Sequence, residues 1–263
     1  HLFDGYRIVD MAFGKAPWPL VWFISSDGRL IGNTYVPEQQ IGAWHWHDTN
    51  GAFESCAVVA EGNEDMLYVA VRRDINGQTR RYIERLESRA FGAQENAFFV
   101  DSGLSYNGMP VKTLKQLGHL EGKTVSILAD GAVHVPQTVT NGEIHLQHAA
   151  KKIHVGLPYT AEIQTLPVVG DIDNGKGRGL TKNVNRVWLD LIRSSGIWAG
   201  PDESRLVEHK QRTTEPPGSP PRLKTGQIEI TVRPDWNDYG QIIVQQRDPL
   251  PLSLVSLTTE VAF

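Results

Sequence analysis

Asp65-Met66-Leu67-Tyr68-Val69-Ala70-Val71-Arg72-Arg73-Asp74-Ile75-Asn76-Gly77-Gln78-Thr79-Arg80-Arg81-Tyr82-Ile83-Glu84-Arg85-Leu86 carries the clearest structural signal in the chain. Apolar and polar residues alternate on both sides of Asn76-Gly77. That dipeptide accepts the left-handed backbone a two-residue hairpin turn demands, and between alternating runs it is the strongest short-range hairpin signal. A two-residue loop pairs Ile75 with Gln78, and therefore Arg73 with Arg80 and Arg72 with Arg81. Like charges directly opposed on a sheet cost about 0.2–1 kcal/mol per pair. Successive residues point to opposite faces, so both faces of this hairpin call for anions. Glu84 and Glu87 stand near enough in the chain to supply some. Acidic residues of another subunit, or phosphates, are the other candidates.

The same grammar recurs outward from this hairpin. Leu20-Val21-Trp22-Phe23-Ile24 and residues 29–35 flank Ser25-Ser26-Asp27-Gly28, a second turn between extended runs. Residues 124–128 precede Ala129-Asp130-Gly131-Ala132, and residues 137–140 precede Asn141-Gly142 and a further run at 144–146. Short alternating segments separated by turn dipeptides indicate an all-β chain of sandwich, barrel or propeller type. Residues 101–169 form a small antiparallel barrel or sandwich on this reading. The segment Asp171-Ile172-Asp173-Asn174-Gly175-Lys176-Gly177-Arg178-Gly179 reads as an exposed loop or domain boundary. Residues 181–194 satisfy both periodicities: Val184, Trp188 and Leu191 fit a helix, and Val187, Leu189 and Leu191 a strand; we take the strand. Thr213-Thr214-Glu215-Pro216-Pro217-Gly218-Ser219-Pro220-Pro221 must run extended, because its prolines fix φ and remove donors.

Composition narrows the classes. The chain has 263 residues, 40% hydrophobic and 21% charged, with seven Trp. These values exclude intrinsic disorder, and 25 Gly without a repeat exclude collagen. No run reaches the roughly 18–20 apolar residues of a membrane helix, so no membrane-spanning segment is expected. Cys56 is the only cysteine, which rules out disulfide frameworks and cysteine-based zinc sites. With 26 basic against 30 acidic residues the chain is not steered to nucleic acid as a whole, so any anion contact must be local. The start, His1-Leu2-Phe3-Asp4, lacks an initiator Met and reads as the beginning of a piece of a longer chain.

Each chemical motif has a plainer reading beside it. Gly170 to Lys176 meets the G-x-x-x-x-G-K spacing, but Gly177 stands where a phosphate loop needs Ser or Thr, and Asp171 and Asp173 would put carboxylates in the cradle. His45 and His47 share one strand face and could bind a metal with Glu54 as third ligand, although a structural aromatic belt accounts for them as well. Asp101, Ser102 and His119 lack a nucleophile elbow. Cys56 sits among apolar strand-mates and reads as core. Pro217-x-x-Pro220 needs no groove to explain it. No catalytic residue, metal or cofactor is assigned.

Trp44-His45-Trp46-His47-Asp48-Thr49-Asn50-Gly51-Ala52-Phe53-Glu54-Ser55, followed by the Arg72–Leu86 hairpin, resembles the tail nozzle proteins of short-tailed bacteriophages, the tail tubular protein B type. The likeness continues through Val100-Asp101-Ser102-Gly103-Leu104-Ser105-Tyr106, His119-Leu120-Glu121-Gly122-Lys123, Leu128-Ala129-Asp130-Gly131, Val155-Gly156-Leu157-Pro158-Tyr159 and Asp248-Pro249-Leu250-Pro251-Leu252. It implies a C-terminal portion of such a protein: residues 1–100 as β-propeller blades, 101–169 as an inserted small β domain, and 170–263 as returning strands with the Pro-rich loop at 213–222. It further implies a non-enzymatic virion subunit, made in the host cytoplasm, six copies of which build a ring-shaped channel for DNA ejection beside adjacent tail proteins. DNA contact would be transient and non-specific. Arg72, Arg73, Arg80, Arg81, Lys176 and Arg178 are then the candidate subunit or DNA contacts. A tail-associated carbohydrate-binding module, using Trp18, Trp22, Trp46 or Trp198 as stacking platforms, or a glycan-degrading enzyme, is the alternative.

Overall fold

The computed structural model describes residues 2–169, 171–172, 175–176, 179–211, 215–216 and 218–263. Among them, regular structure is strand apart from four single-turn 3-10 helices. The all-β expectation holds, in several antiparallel sheets of which none closes on itself.

The chain divides into two compact units, the first comprising His1–Phe91, Thr113–Thr124 and Thr138–His145, the second the remainder. The first unit opens with a consecutive antiparallel meander: β1 (Ile8–Gly14), β2 (Leu20–Ser25), β3 (Leu30–Val36) and β4 (Ile41–His47). A three-stranded sheet follows, β5 (Ala52–Glu61), β6 (Glu64–Ile75) and β7 (Gln78–Arg85). The hairpin β6–β7 has the register its turn predicted, Ile75 opposite Gln78, Arg73 opposite Arg80 and Arg72 opposite Arg81. Asn76 and Gly77 take φ of 50° and 72°, the left-handed pair that matches the twist of the flanking strands. Period-2 alternation directs Trp22, Ile24 and Leu30 from the meander against Phe53, Leu67, Val69 and Val71, with Cys56 and Val58 at the margin.

The bulk of a four-stranded sheet falls in the second unit, in the order β10-β9-β11-β8: β8 (Asp101–Leu114), β9 (Thr124–Ala129), β10 (Ala132–Thr138) and β11 (Ile144–Leu157). Asp130 and Gly131 turn β9 into β10 with φ of 48° and 80°. The Asp130 carboxylate then accepts from the backbone N–H groups of Lys151 and Lys152, clamping the turn to β11. The expected hairpin across Asn141-Gly142 shrinks to one bridge, Thr140 to Glu143, because β9 lies between β10 and β11. A turn dipeptide dictates reversal, not which strand becomes the neighbour.

Next come β12 (Ala161–Gln164), the two-residue strands β13 (Asp171–Ile172) and β14 (Gly175–Lys176), β15 (Asn183–Ser194), β16 (Ile197–Gly200), β17 (Val207–Glu208), β18 (Lys224–Thr231), β19 (Ile243–Gln246) and β20 (Leu254–Ala262). The strand reading of residues 181–194 is correct: β15 is the centre of β18-β15-β20. Its Val184, Val187, Leu189 and Leu191 pack with Ile197, Ala199, Ile228, Ile230 and Val244, joining that sheet to β12-β19-β16-β17. The segment expected as a loop at 171–179 contains the minimal hairpin β13–β14, with Asp171 opposite Lys176. Gly170, Asp173, Asn174, Gly177 and Arg178 lie outside the described residues, as do Thr213, Thr214 and Pro217 of the Pro-rich segment.

Candidate interaction surfaces

The four arginines of the β6–β7 hairpin have different fates. Arg73 is only 3% exposed. Its Nε and Nη2 donate to the two Glu84 carboxylate oxygens, each at 2.7 Å, and Nη1 donates to Thr49 Oγ1 and Asn50 O. A buried guanidinium needs such a bidentate partner and satisfied remaining donors. Arg73 therefore spends its charge inside the first unit, where no subunit or DNA could reach it. Arg72 and Arg81 stay exposed and share Glu54, at 3.3 and 2.6 Å. Hydrogen bonding from Arg81 holds the Glu54 carboxyl below the usual carboxylate range, and Arg72 adds to it. Arg80 is exposed and donates to Gln78 Oε1.

Each pair of opposed arginines thus meets one carboxylate of its own chain, Glu84 beside Arg73 and Glu54 between Arg72 and Arg81. Glu84 was legible as a partner. Glu54 was not, because it comes from β5, where a bulge between Phe53 and Ser55 interrupts the pairing to β6. Glu87 pairs with Arg85 instead. Lys176 lies on β14, and Arg178 lies outside the described residues.

His45 and His47 do share a face, with ring centroids 5.1 Å apart, and both rings meet Trp22. Gly32 sits opposite His45, and a Cβ there would stand 2.2 Å from His45 Nε2, so the close approach requires glycine. Burial, the neighbouring His45 and Arg89 depress the His47 imidazolium to a pKa of about 4, and its Nε2 is buried without a hydrogen-bond partner. Burial lowers His45 as well. Glu54 is committed to arginines, and among the described residues no group of three or more His, Cys, Asp or Glu is arranged to hold a metal ion. Burial and Asp10 raise the Cys56 thiol to about 11, the behaviour of an inert packing residue. Asp101 and Ser102 begin β8, while His119 sets its ring 6.2 Å from Tyr82.

The four tryptophans considered as platforms also separate. Trp22 is 4% exposed and belongs to the core, because its parity on β2 is that of Ile24. Trp198 is half-buried with Arg247 over its ring. Trp18 and Trp46 are exposed.

What the sequence reading missed is the company Trp46 keeps. Cross-strand register places Met11, Phe23, Ile31 and Trp46 in one row on the outer face of β1–β4, and Phe13, Val21, Asn33 and Trp44 in the next. Phe3 rests edge-on against Phe23 and Trp44, 5.7 Å from each. With its amide turned toward the indole, Asn33 accepts the Trp44 Nε1–H at 2.9 Å. The alternation in Ile8–Gly14 and Ile41–His47 was visible, but it does not say which parity faces outward.

No protein-family model and no curated protein sequence matches this chain.

Proposed function

We propose that the chain is a structural subunit of a short-tailed phage tail nozzle, one of six copies closing a ring through which DNA leaves the virion at the host surface. The observation that carries this reading is the β1-β2-β3-β4 meander, consecutive and antiparallel, which is the architecture of one propeller blade. The ordered motifs that resemble nozzle proteins support it from the sequence side. Open sheet edges are templates for pairing with another chain unless covered, and a closed ring covers them.

On this reading no bond is made or broken. A lumen must release the DNA it conducts, and many fixed cations would hold phosphates instead. A formal charge of −4 suits such a channel, as does the pairing of Arg73 with Glu84 and of Arg72 and Arg81 with the shared Glu54. Arg80, Lys176 and Arg178 remain as candidate subunit or DNA contacts. Adjacent tail proteins would meet the ring at its ends.

Negative-stain electron microscopy of the purified protein tests the reading. Six-fold rings with a central channel are expected; a protein that stays monomeric at every concentration tried would reject it. Exposed Trp18 and Trp46 keep one rival alive, a carbohydrate-binding module. Glycan-array binding by monomeric protein would favour that rival.

A further inference from the structure

The outer face of β1–β4 is closed over the middle of β3, where Ile31 and Asn33 are 0% and 6% exposed, and open along β1 and β4. None of the eight residues in its two central rows is charged. Met11 is 61% exposed, Phe13 55%, Trp44 and Trp46 51% each, and Tyr35, further along β3, 53%. Large side chains of this kind carry about 150–250 Å² each, so five at half exposure leave on the order of 500 Å² of apolar surface. One side of a standard interface is about 800 Å², roughly 60% of it apolar, which is again about 500 Å². The face thus supplies the apolar core of one stable interface, in the residue types enriched there and without the charges depleted there.

We propose that a second copy of this chain covers this face. The identity of the occupant rests on the ring-subunit reading above; the need for an occupant rests on the exposed area. Other occupants fit less well. A sugar needs free hydrogen-bonding groups beside the rings, and Asn33, the amide within these rows, is already spent on Trp44. A lipid surface calls for free cations around the apolar patch. Arg29, which lies over Tyr6 and Trp46, is paired with Asp27 at 2.5 Å. Phe3 already seats against Phe23 and Trp44, so the face accepts aromatic side chains from outside the sheet.

Sedimentation velocity over a concentration series, on wild type, Met11→Glu, Trp44→Glu and the control Ile83→Glu, tests this. Ile83 is 74% exposed on β7, in the other sheet of the first unit. Wild type and the control should self-associate alike, and both face variants should weaken association at least tenfold, which corresponds to about 1.4 kcal/mol. Thermal melts identify a variant that fails to fold; Met11, on the edge strand β1, is the safer of the two. Self-association that neither folded face variant weakens would overturn the assignment of this face while leaving the ring reading intact. A wild type that never self-associates would overturn both, and its binding to vesicles of anionic lipid instead would assign the face to a membrane surface.

Discussion

Lys182 in the second unit and His47 in the first are two basic side chains held in opposite ways. In the second unit Lys182 is 1% exposed, and its ammonium donates to the carbonyls of Leu180 and Asp238, both at 2.9 Å. The surrounding loop is tied down in turn: Asn183 accepts from the Asp235 backbone N–H, Asn237 donates to Asp235, and Asp235 binds Arg205. In the first unit His47 has a buried Nε2 with no partner, and keeps company with a second imidazole and an indole. At one site two carbonyl oxygens meet the buried side chain's nitrogen; at the other the imidazole Nε2 has no hydrogen-bond partner. Burying a cation stabilises a loop when oxygen atoms converge on it and imposes a pH limit when they do not.

The largest expected effect comes from breaking the satisfied side. Lys182→Ala removes two charge-assisted hydrogen bonds made by a side chain that is itself 1% exposed, a loss of about 4 kcal/mol. Chemical denaturation of the second unit should register it, with hydrogen exchange at residues 235–240 rising first. A loss under about 1 kcal/mol would mean that the loop holds itself without the ammonium.

The next effect lies on the unsatisfied side and is a pH dependence. The folded pKa of His47 is depressed from 6.5 to about 4, so the unfolded chain binds the proton more readily. Stability is therefore complete above pH 6.5 and falls as pH drops from about 6.5 toward 4. Two and a half units correspond to about 3 kcal/mol lost across that window. Denaturation series at pH 7.5 and pH 4 should show this loss in the first unit, and His47→Leu should flatten it. An unchanged acid profile in that variant would move the sensitivity to another group.

The smallest effect refines the second. Arg89 contributes to holding down both His45 and His47, after burial. Removing its charge in Arg89→Gln lets the imidazoles rise toward their ordinary value, which lessens the stability lost to acid. Arg89 is exposed, so the acid midpoint should move downward by only about 0.3 pH unit, within the range of screened surface charges. An upward move would contradict the sign.

Legibility follows the range of the interactions. The hairpin at Asn76-Gly77 and its Arg–Arg register could be read because turn chemistry and parity act between residues close in the chain. Glu84 was readable for the same reason, lying eleven positions from Arg73 on the paired strand. Glu54 was not, since it arrives from another strand, beside a bulge that shifts the pairing. Nor did Thr181-Lys182-Asn183 announce a buried ammonium: the oxygen atoms that make it tolerable include one from Asp238, remote in sequence. The neighbour of β10 was likewise unreadable, because Asn141-Gly142 specifies a reversal whichever strand then inserts.

Alternation along each strand sorts its side chains into two sets, and that much is written in the order of residues, because the pleat has a period of two. It put Trp44 with Trp46, His45 with His47, and Trp22 with Ile24. Which set is enclosed was settled only when a second sheet packed against the first, closing over Trp22 and Ile24 and leaving Trp44 and Trp46 outside. Parity is a property of one strand, whereas burial belongs to the layers that strand joins.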